Sequence, residues 1–419
     1  MSTALDLDAA SVAIGSACGH VSPAGPLDAV DGTPAQLVAR PGSTAEVGEV
    51  LRAAAAHGLT VVPRGRGTTL SWGRAPARAD LVVDLSRMDA VQDHAAGDLI
   101  VDVQAGTRLA DVQRAVAGAG QRLALDETVP GASIGGTLAT GASGPRRLIA
   151  GTARDLLIGV TVVRADGVVA KSGGRVVKNV AGYDLGKLLI GSFGTLAVIT
   201  EAVFRLHPLA PARRVVTVPV DRAAEAGRLV QLVLHAQVVP TAVELDWAPT
   251  GPASVSVLVE GSPAGVVARA EATRRLLGDT ATEAEELPPG WGAHPWGTGG
   301  TALKATFAIS ALPRVLDAAR DAAGDTGTAL HLRGSAGAGV LYGGLPADAD
   351  VPTVAQVVDR VRAACTAAGG ALVVLDGPPA VKAAVDSWGP VPAIDLMRRV
   401  KERFDPARRL SPGRFVGGI

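Results

Sequence analysis

The chain has 419 residues, too many for one ordinary core and enough for two or three domains. Lysine plus arginine equals aspartate plus glutamate at 40 each, which argues against a nucleic-acid binder or a polybasic membrane protein. Two cysteines, Cys18 and Cys365, supply neither a disulfide framework nor a zinc spacing, and they are too few to hold an iron–sulfur cluster. The first twenty residues lack a basic n-region and a continuous apolar core, so no signal peptide is expected. No run reaches the roughly 18 apolar residues of a spanning helix. A cytoplasmic protein is the expectation, with membrane association through partner subunits left open.

Residues 1–34 have mixed periodicity. QLVARP (36–41) then reads as a strand, and STAEVGEVLRAAAAHG (43–58) as a helix with Ser43 or Thr44 as N-cap and Gly58 as its stop. LTVVPRG (59–65), ADLVVDLSRM (79–88) and DLIVDVQAG (98–106) read as strands, TRLADVQRAVAGAG (107–120) as a helix and QRLALD (121–126) as a short strand. Residues 131–151 have little charge and no sustained amphipathic face. DLLIGVTVVRADGVVAKSGG (155–174) predicts a hairpin turning at 165–167. A helix, a glycine turn and a strand close this region. After Pro211 the order is strand, helix, strand, strand, helix, the layout of a ferredoxin-like half. Residues 280–301 read as a loop by their Pro and Gly content. The tail is a short basic helix and a Pro-Gly turn, and no internal repeat is legible.

Three glycine-rich stretches need a reason. PRGRGTTLSWG (63–73) follows a strand, where a plain turn or a nest of backbone N–H groups around phosphate would both suit it. It is neither a G-x-G-x-x-G fingerprint nor a Walker loop. PGASIGGTLATGASG (130–144) and GSFGTLAVIT (191–200) repeat the texture in one α/β region. Together they suit a long ligand lying over much backbone, such as a dinucleotide with a tricyclic ring.

At these residues, with KNVAGYDLGKLL (178–189) and FDPARRLSPGRF (404–415), the chain resembles the PCMH-type FAD-binding domain of the vanillyl-alcohol-oxidase superfamily. Within it, GGRVVKNVAGYDL and GSFGTLAVITEA are most similar to the FAD-binding subunit of bacterial glycolate oxidase. The resemblance covers roughly residues 35–208 and the last 25 or so. It implies an α+β fold: two subdomains clasping FAD (35–92 and 93–208), a cap domain on an antiparallel sheet (212–385) and a C-terminal segment (390–419) returning to the FAD domain, behind an N-terminal extension (1–34). It also implies cofactor contacts. Arg64, Gly65, Arg66, Gly67, Thr68 and Thr69 match the diphosphate loop. Pro130, Gly131, Ser133, Gly135 and Gly136 match the second diphosphate and ribityl loop. Thr140, Gly141 and Gly144 lie where the chain passes the flavin, and Gly194 and Ile199 start the last strand. Lys178, Tyr183 and Asp184 are read as structural.

Departures from the family shape the functional expectation. Members that bind FAD covalently have a histidine where this chain has Thr68, so FAD is expected to be non-covalent. His235, His294 and His331 are isolated, so no metal site is expected. Oxidising a 2-hydroxy acid needs a cation for its carboxylate and a base for its hydroxyl proton. Arg333 and Arg414 are candidates for the first. His331 and Tyr342 are the plausible side chains for the second, and neither is identified as the base. The expectation is the FAD-binding subunit of a glycolate oxidase complex, beside a second flavoprotein and an iron–sulfur subunit. A stand-alone FAD-dependent oxidoreductase and a non-enzymatic flavin-fold protein are the alternatives.

Overall fold

Residues 5–176 and 184–419 are described by the computed structural model. The N-terminal stretch forms helix α1 (Leu7–Cys18), capped by the Asp6 carboxylate accepting from the Ala9 N–H at 2.9 Å, and strand β1 (Val21–Pro23). Because β1 pairs antiparallel with β2 (Ala35–Ala39), these residues belong to the first sheet and are not an appended extension. Helix α2 (Thr44–Ala56) starts at a reciprocal cap. Ser43 Oγ accepts from the Glu46 N–H at 3.1 Å, and the Glu46 carboxylate accepts from the Gly42 N–H at 2.7 Å. It buries Val47, Val50, Leu51 and Ala54. Strands β3 (Val61–Arg64) and β4 (Ala79–Asp84) complete the order β1-β2-β4-β3, with β2, β4 and β3 parallel. The parallel pairing follows from the crossover through α2.

A second sheet is wholly antiparallel. Strands β5 (Val91–Ala95) and β6 (Ile100–Gln104) lead to helix α3 (Leu109–Ala117) and a two-residue β7 (Gln121–Arg122), shorter than the strand read at 121–126. Residues 131–151, where no regular element is legible, contain helices α4 (Ile134–Thr140) and α5 (Arg147–Ala150). Glycine and threonine disguise α4, whose buried face is Ile134, Thr137 and Leu138. Helix α6 (Ala153–Leu156) precedes the hairpin β8 (Leu157–Val163) and β9 (Val169–Gly173). Helix α7 (Gly186–Leu189), strand β10 (Val198–Arg205) and β11 (His207–Pro208), which pairs with β7, follow. The sheet order is β5-β6-β10-β8-β9.

The next unit contains β12 (Ala212–Val220), α8 (Ala223–His235), β13 (Ala242–Trp247), β14 (Ala253–Gly261), α9 (Pro263–Leu277) and β15 (Thr282–Ala284). Then come β16 (Thr301–Thr306), α10 (Leu312–Thr326), β17 (His331–Gly334), β18 (Val340–Leu345), α11 (Val351–Ala367), β19 (Ala371–Asp376) and α12 (Pro379–Ala384). The eight-stranded order is β15-β12-β14-β13-β17-β18-β16-β19. It is one β-α-β-β-α-β unit used twice. Each half runs fourth, first, third, second, and the halves join antiparallel at β13 and β17. The sequence hides this repeat because its cores are interchangeable Val, Leu and Ala. Val243, Leu245, Leu332 and Leu341 join the core formed with α8 to α11. Strand alternation therefore places Asp246, His331, Arg333, Tyr342 and Lys304 on the opposite face.

Ser143–Gly151 and Ala210–Pro390 form this second compact unit, and the rest, with α13 (Ile394–Phe404), forms the first. No helix among the described residues is long and apolar enough to cross a membrane.

Candidate functional site

The first unit has an open cleft at the end of β3. Arg64 through Thr69 line it with Ser133, Gly135, Gly136, Thr140, Gly194 and Ile199. Pro130, Gly131 and Gly141 are not in its wall, and Gly144 falls in the second unit, where its carbonyl accepts from the Arg147 N–H at 3.1 Å. Lys178 and Tyr183 lie outside the described residues, and Asp184 pairs with Lys187 at 3.1 Å. Leu70, Leu85, Ala105, Ala139, Phe193 and Ala197 also line the cleft. They have no sequence signal beyond being apolar.

Backbone makes the cleft suited to an anion. The amides of Gly65, Gly67, Thr68 and Thr69 donate to no described residue, and Gly67 has φ +75°. Consecutive unsatisfied N–H groups around a left-handed residue form a nest that accepts phosphate oxygens. Gly65 is required by packing, because a Cβ there would lie 2.1 Å from Ser133 Oγ. That hydroxyl is already engaged as the cap of α4, accepting from the Gly136 N–H at 3.2 Å. These residues fit a diphosphate.

The loop's arginines have other work. Arg64 pairs with Asp28 at 2.9 Å and Asp84 at 2.8 Å, tying the loop's first residue to β4 and the N-terminal segment. Arg66 donates to the Gly106 carbonyl at 3.0 Å and pairs with Asp89 at 3.1 Å. The expected charge on the diphosphate is thus largely committed within the protein, and amides are left as the principal donors. Arg414, considered above as a substrate cation, is buried and donates to the carbonyls of Thr69, Leu70 and Trp72. It clamps the glycine loop from the C-terminal segment and lines the same cleft.

In the second unit, the sheet brings together side chains that are far apart in sequence. Asp246 and Arg333 are opposite one another across β13 and β17. One Asp246 oxygen accepts from Arg333 Nη2 at 2.7 Å, and the other contacts His331 Nε2 at 2.5 Å. Arg333 Nη1 donates to the Gly290 carbonyl at 3.2 Å. Gly290 has φ +73°, a backbone conformation that side-chain-bearing residues rarely adopt. Burial alone would raise the Asp246 carboxyl; the hydrogen bonds from His331 and Arg333 outweigh it and hold it below the usual carboxylate range. His331 Nδ1 has no partner among the described residues. Sequence spacing offered no way to find Asp246, which is 85 residues from His331.

Tyr342 is the other side chain read as a candidate base. It is buried, its hydroxyl donates to the Ser143 carbonyl at 3.3 Å, and it accepts from Arg147 Nη2 at 3.1 Å. His235 lies at the end of α8, bonded to the Gln231 carbonyl. His294 stacks on Trp296 with centroids 4.2 Å apart and meets the Tyr342 ring edge at 4.6 Å. Burial first, then Arg147 and Lys304, push its pKa down to about 4. Its folded value is therefore below the ordinary value of about 6.5. As pH falls from about 6.5 to 4, the unfolded chain takes up the proton first and stability is lost, by at most about 3 kcal/mol. His294→Phe keeps the stacking and removes the titration. Melting curves across that range should show a shallower decline in the variant, and parallel declines would contradict this account.

Comparison with known proteins places the chain. Residues 35–173 match the FAD binding domain model, and residues 296–415 match the C-terminal domain of FAD linked oxidases. The chain belongs to the family of FAD-linked oxidases; FAD is its cofactor and it is an FAD-dependent oxidoreductase. An uncharacterized FAD-linked oxidoreductase of Mycobacterium tuberculosis is 30% identical over 416 residues, 90% of each chain. Glycolate oxidase subunit GlcD of Bacillus subtilis is 30% identical over 214 residues, 51% of this chain and 46% of that one. Glycolate oxidase subunit GlcE of Escherichia coli is 42% identical over 96 residues, 22% of this chain and 27% of that one. The solved 4-ethylphenol oxidase of Gulosibacter chungangensis shares the fold, with TM-score 0.73 and 15% identity over 98% of this chain and 97% of that one.

Proposed function

We propose that the chain oxidises a 2-hydroxy acid such as glycolate to the 2-oxo acid (glyoxylate from glycolate), with FAD held non-covalently, as the FAD-binding subunit of a glycolate oxidase complex. The observation behind the chemistry is the pairing of His331 and Arg333 on one face of β17 through Asp246. A guanidinium recognises the substrate carboxylate, and an imidazole nitrogen takes the hydroxyl proton. When bound, FAD accepts the two electrons and the C2 hydrogen as hydride. The amides of Gly65, Gly67, Thr68 and Thr69 would hold its diphosphate. Likeness to the glycolate oxidase subunits GlcD and GlcE supports onward transfer to partner subunits.

Anaerobic addition of glycolate to the purified FAD-loaded chain tests the chemistry. Bleaching of the flavin band is expected, and its loss in Arg333→Met. Reoxidation should then depend on added partner subunits or an artificial acceptor. A flavin left oxidised by glycolate, D-lactate and related 2-hydroxy acids would end this reading. The mode of attachment has its own check. Thr68 cannot form the bond that a histidine forms there, so acid precipitation should release all of the flavin. Flavin remaining in the washed pellet would mean a covalent link.

A further inference from the structure

The distinctive feature of the eight-stranded sheet is one carboxylate shared by an imidazole and a guanidinium at the seam of two structural repeats. His331 and Arg333 are two residues apart on β17, so their Cβ atoms project from the same face about 7 Å apart. A 2-hydroxy acid has its carboxylate and hydroxyl on adjacent carbons and needs a cation and a proton acceptor side by side. Neither group is useful if it swings. Arginine has several flexible torsions, and a neutral imidazole has two tautomers, only one of which leaves a given nitrogen able to accept.

We propose that Asp246 is the positioning residue of this site, fixing the tautomer of His331 and the orientation of Arg333 at once. This rests on the 2-hydroxy-acid reading above. A carboxylate only accepts, so the 2.5 Å contact puts the neutral ring's proton on Nε2 and the lone pair on Nδ1. In the reaction Nδ1 would take the hydroxyl proton, and the C2 hydrogen would leave as hydride to the oxidant that bound FAD supplies. The C–O single bond becomes the carbonyl, and the imidazolium formed is stabilised by Asp246. The second carboxylate oxygen and the Gly290 carbonyl hold the two Nη atoms of Arg333, leaving its remaining N–H bonds for the substrate carboxylate. Asp246 stands on β13 and the other two on β17, so the seam between the half-sheets sets the geometry.

The test is a double-mutant cycle on the FAD-loaded protein, with flavin content and melting temperature as controls. The readouts are the rate of anaerobic flavin bleaching at saturating glycolate and the substrate concentration giving half that rate. His331→Gln should slow bleaching by about 10²- to 10⁴-fold, the usual contribution of a general base. Asp246→Asn is nearly isosteric, but its amide can donate to Nε2 and favour the wrong tautomer. It should slow bleaching by about 10²-fold and raise the half-saturating concentration, because Arg333 loses its anchor. The double variant should be no slower than His331→Gln alone, since Asp246 acts on the rate through that ring. If His331→Gln is slow and Asp246→Asn bleaches at the parental rate, the positioning role is refuted while the base survives. Multiplicative losses in the double variant would also refute it. If His331→Gln is itself unaffected, the functional reading fails first.

Discussion

Gly65→Ala is expected to lower flavin affinity roughly ten- to hundredfold while leaving the protein folded. The added Cβ would lie 2.1 Å from Ser133 Oγ and 3.0 Å from Ser133 Cβ, distances at which something must move. Overpacking of this kind costs about 1–3 kcal/mol, and the groups forced to adjust are the α4 cap and the loop amides. Ser133→Ala removes the nearer atom, so adding it to Gly65→Ala should restore part of the affinity. Flavin titration into apoprotein, with circular dichroism as the folding control, measures both effects. Full affinity in Gly65→Ala would mean that the loop does not hold the cofactor. Gly135 and Gly136 make a different point. A Cβ on Gly135 would meet Ala105 at 3.0 Å, and one on Gly136 would meet Ser133 Oγ at 3.1 Å. They are glycine for packing within the wall.

Lys401→Met is expected to destabilise the protein by about 3–5 kcal/mol, the cost of leaving a buried charge without its partner. Lys401 and Asp405 are both buried, and Nζ donates to the Asp405 carboxylate at 2.7 Å. It also donates to the Thr195 carbonyl at 2.6 Å and the Leu410 carbonyl at 3.0 Å. The carboxylate in turn accepts from the N–H groups of Arg409 at 3.1 Å and Leu410 at 2.7 Å. Three chain segments therefore meet at one ammonium, one of them adjacent to Gly194 in the cleft wall. Burial lowers the Lys401 pKa despite Asp405, which shows how much solvation the pair has given up. Lys401→Met with Asp405→Leu should cost less than the sum of the two single changes, since no charge is left stranded. Denaturant titration decides it. A loss below about 1 kcal/mol in Lys401→Met would show that the pair is dispensable.

Those residues also show where reading the chain stops. FDPARRLSPGRF marks the family, but nothing in it says that the aspartate faces a lysine one helical turn earlier. Arg64 and Arg66 read as phosphate ligands because arginine beside glycine in a loop usually faces solvent or anion. Their carboxylates, Asp28, Asp84 and Asp89, come from other segments.

Local signals sufficed wherever the physics is local. Ser43 and Glu46 cap α2 through groups three residues apart, and the 165–167 turn closes β8 on β9. The glycine loops display their backbone freedom in their own composition, and from them the cofactor class and the family were legible. The ferredoxin-like order of β12 to α9 was legible for the same reason, since alternation and helical period are written within single elements. Strand pairing across the eight-stranded sheet is not local. The register of β13 on β17 depends on two half-sheets docking through cores of interchangeable Val, Leu and Ala. That docking alone puts Asp246 between His331 and Arg333. The sequence by itself therefore determined a flavin protein with isolated histidines. The tertiary structure decided that one of them has a carboxylate partner, because side-chain neighbours in a sheet are chosen by register and not by distance along the chain.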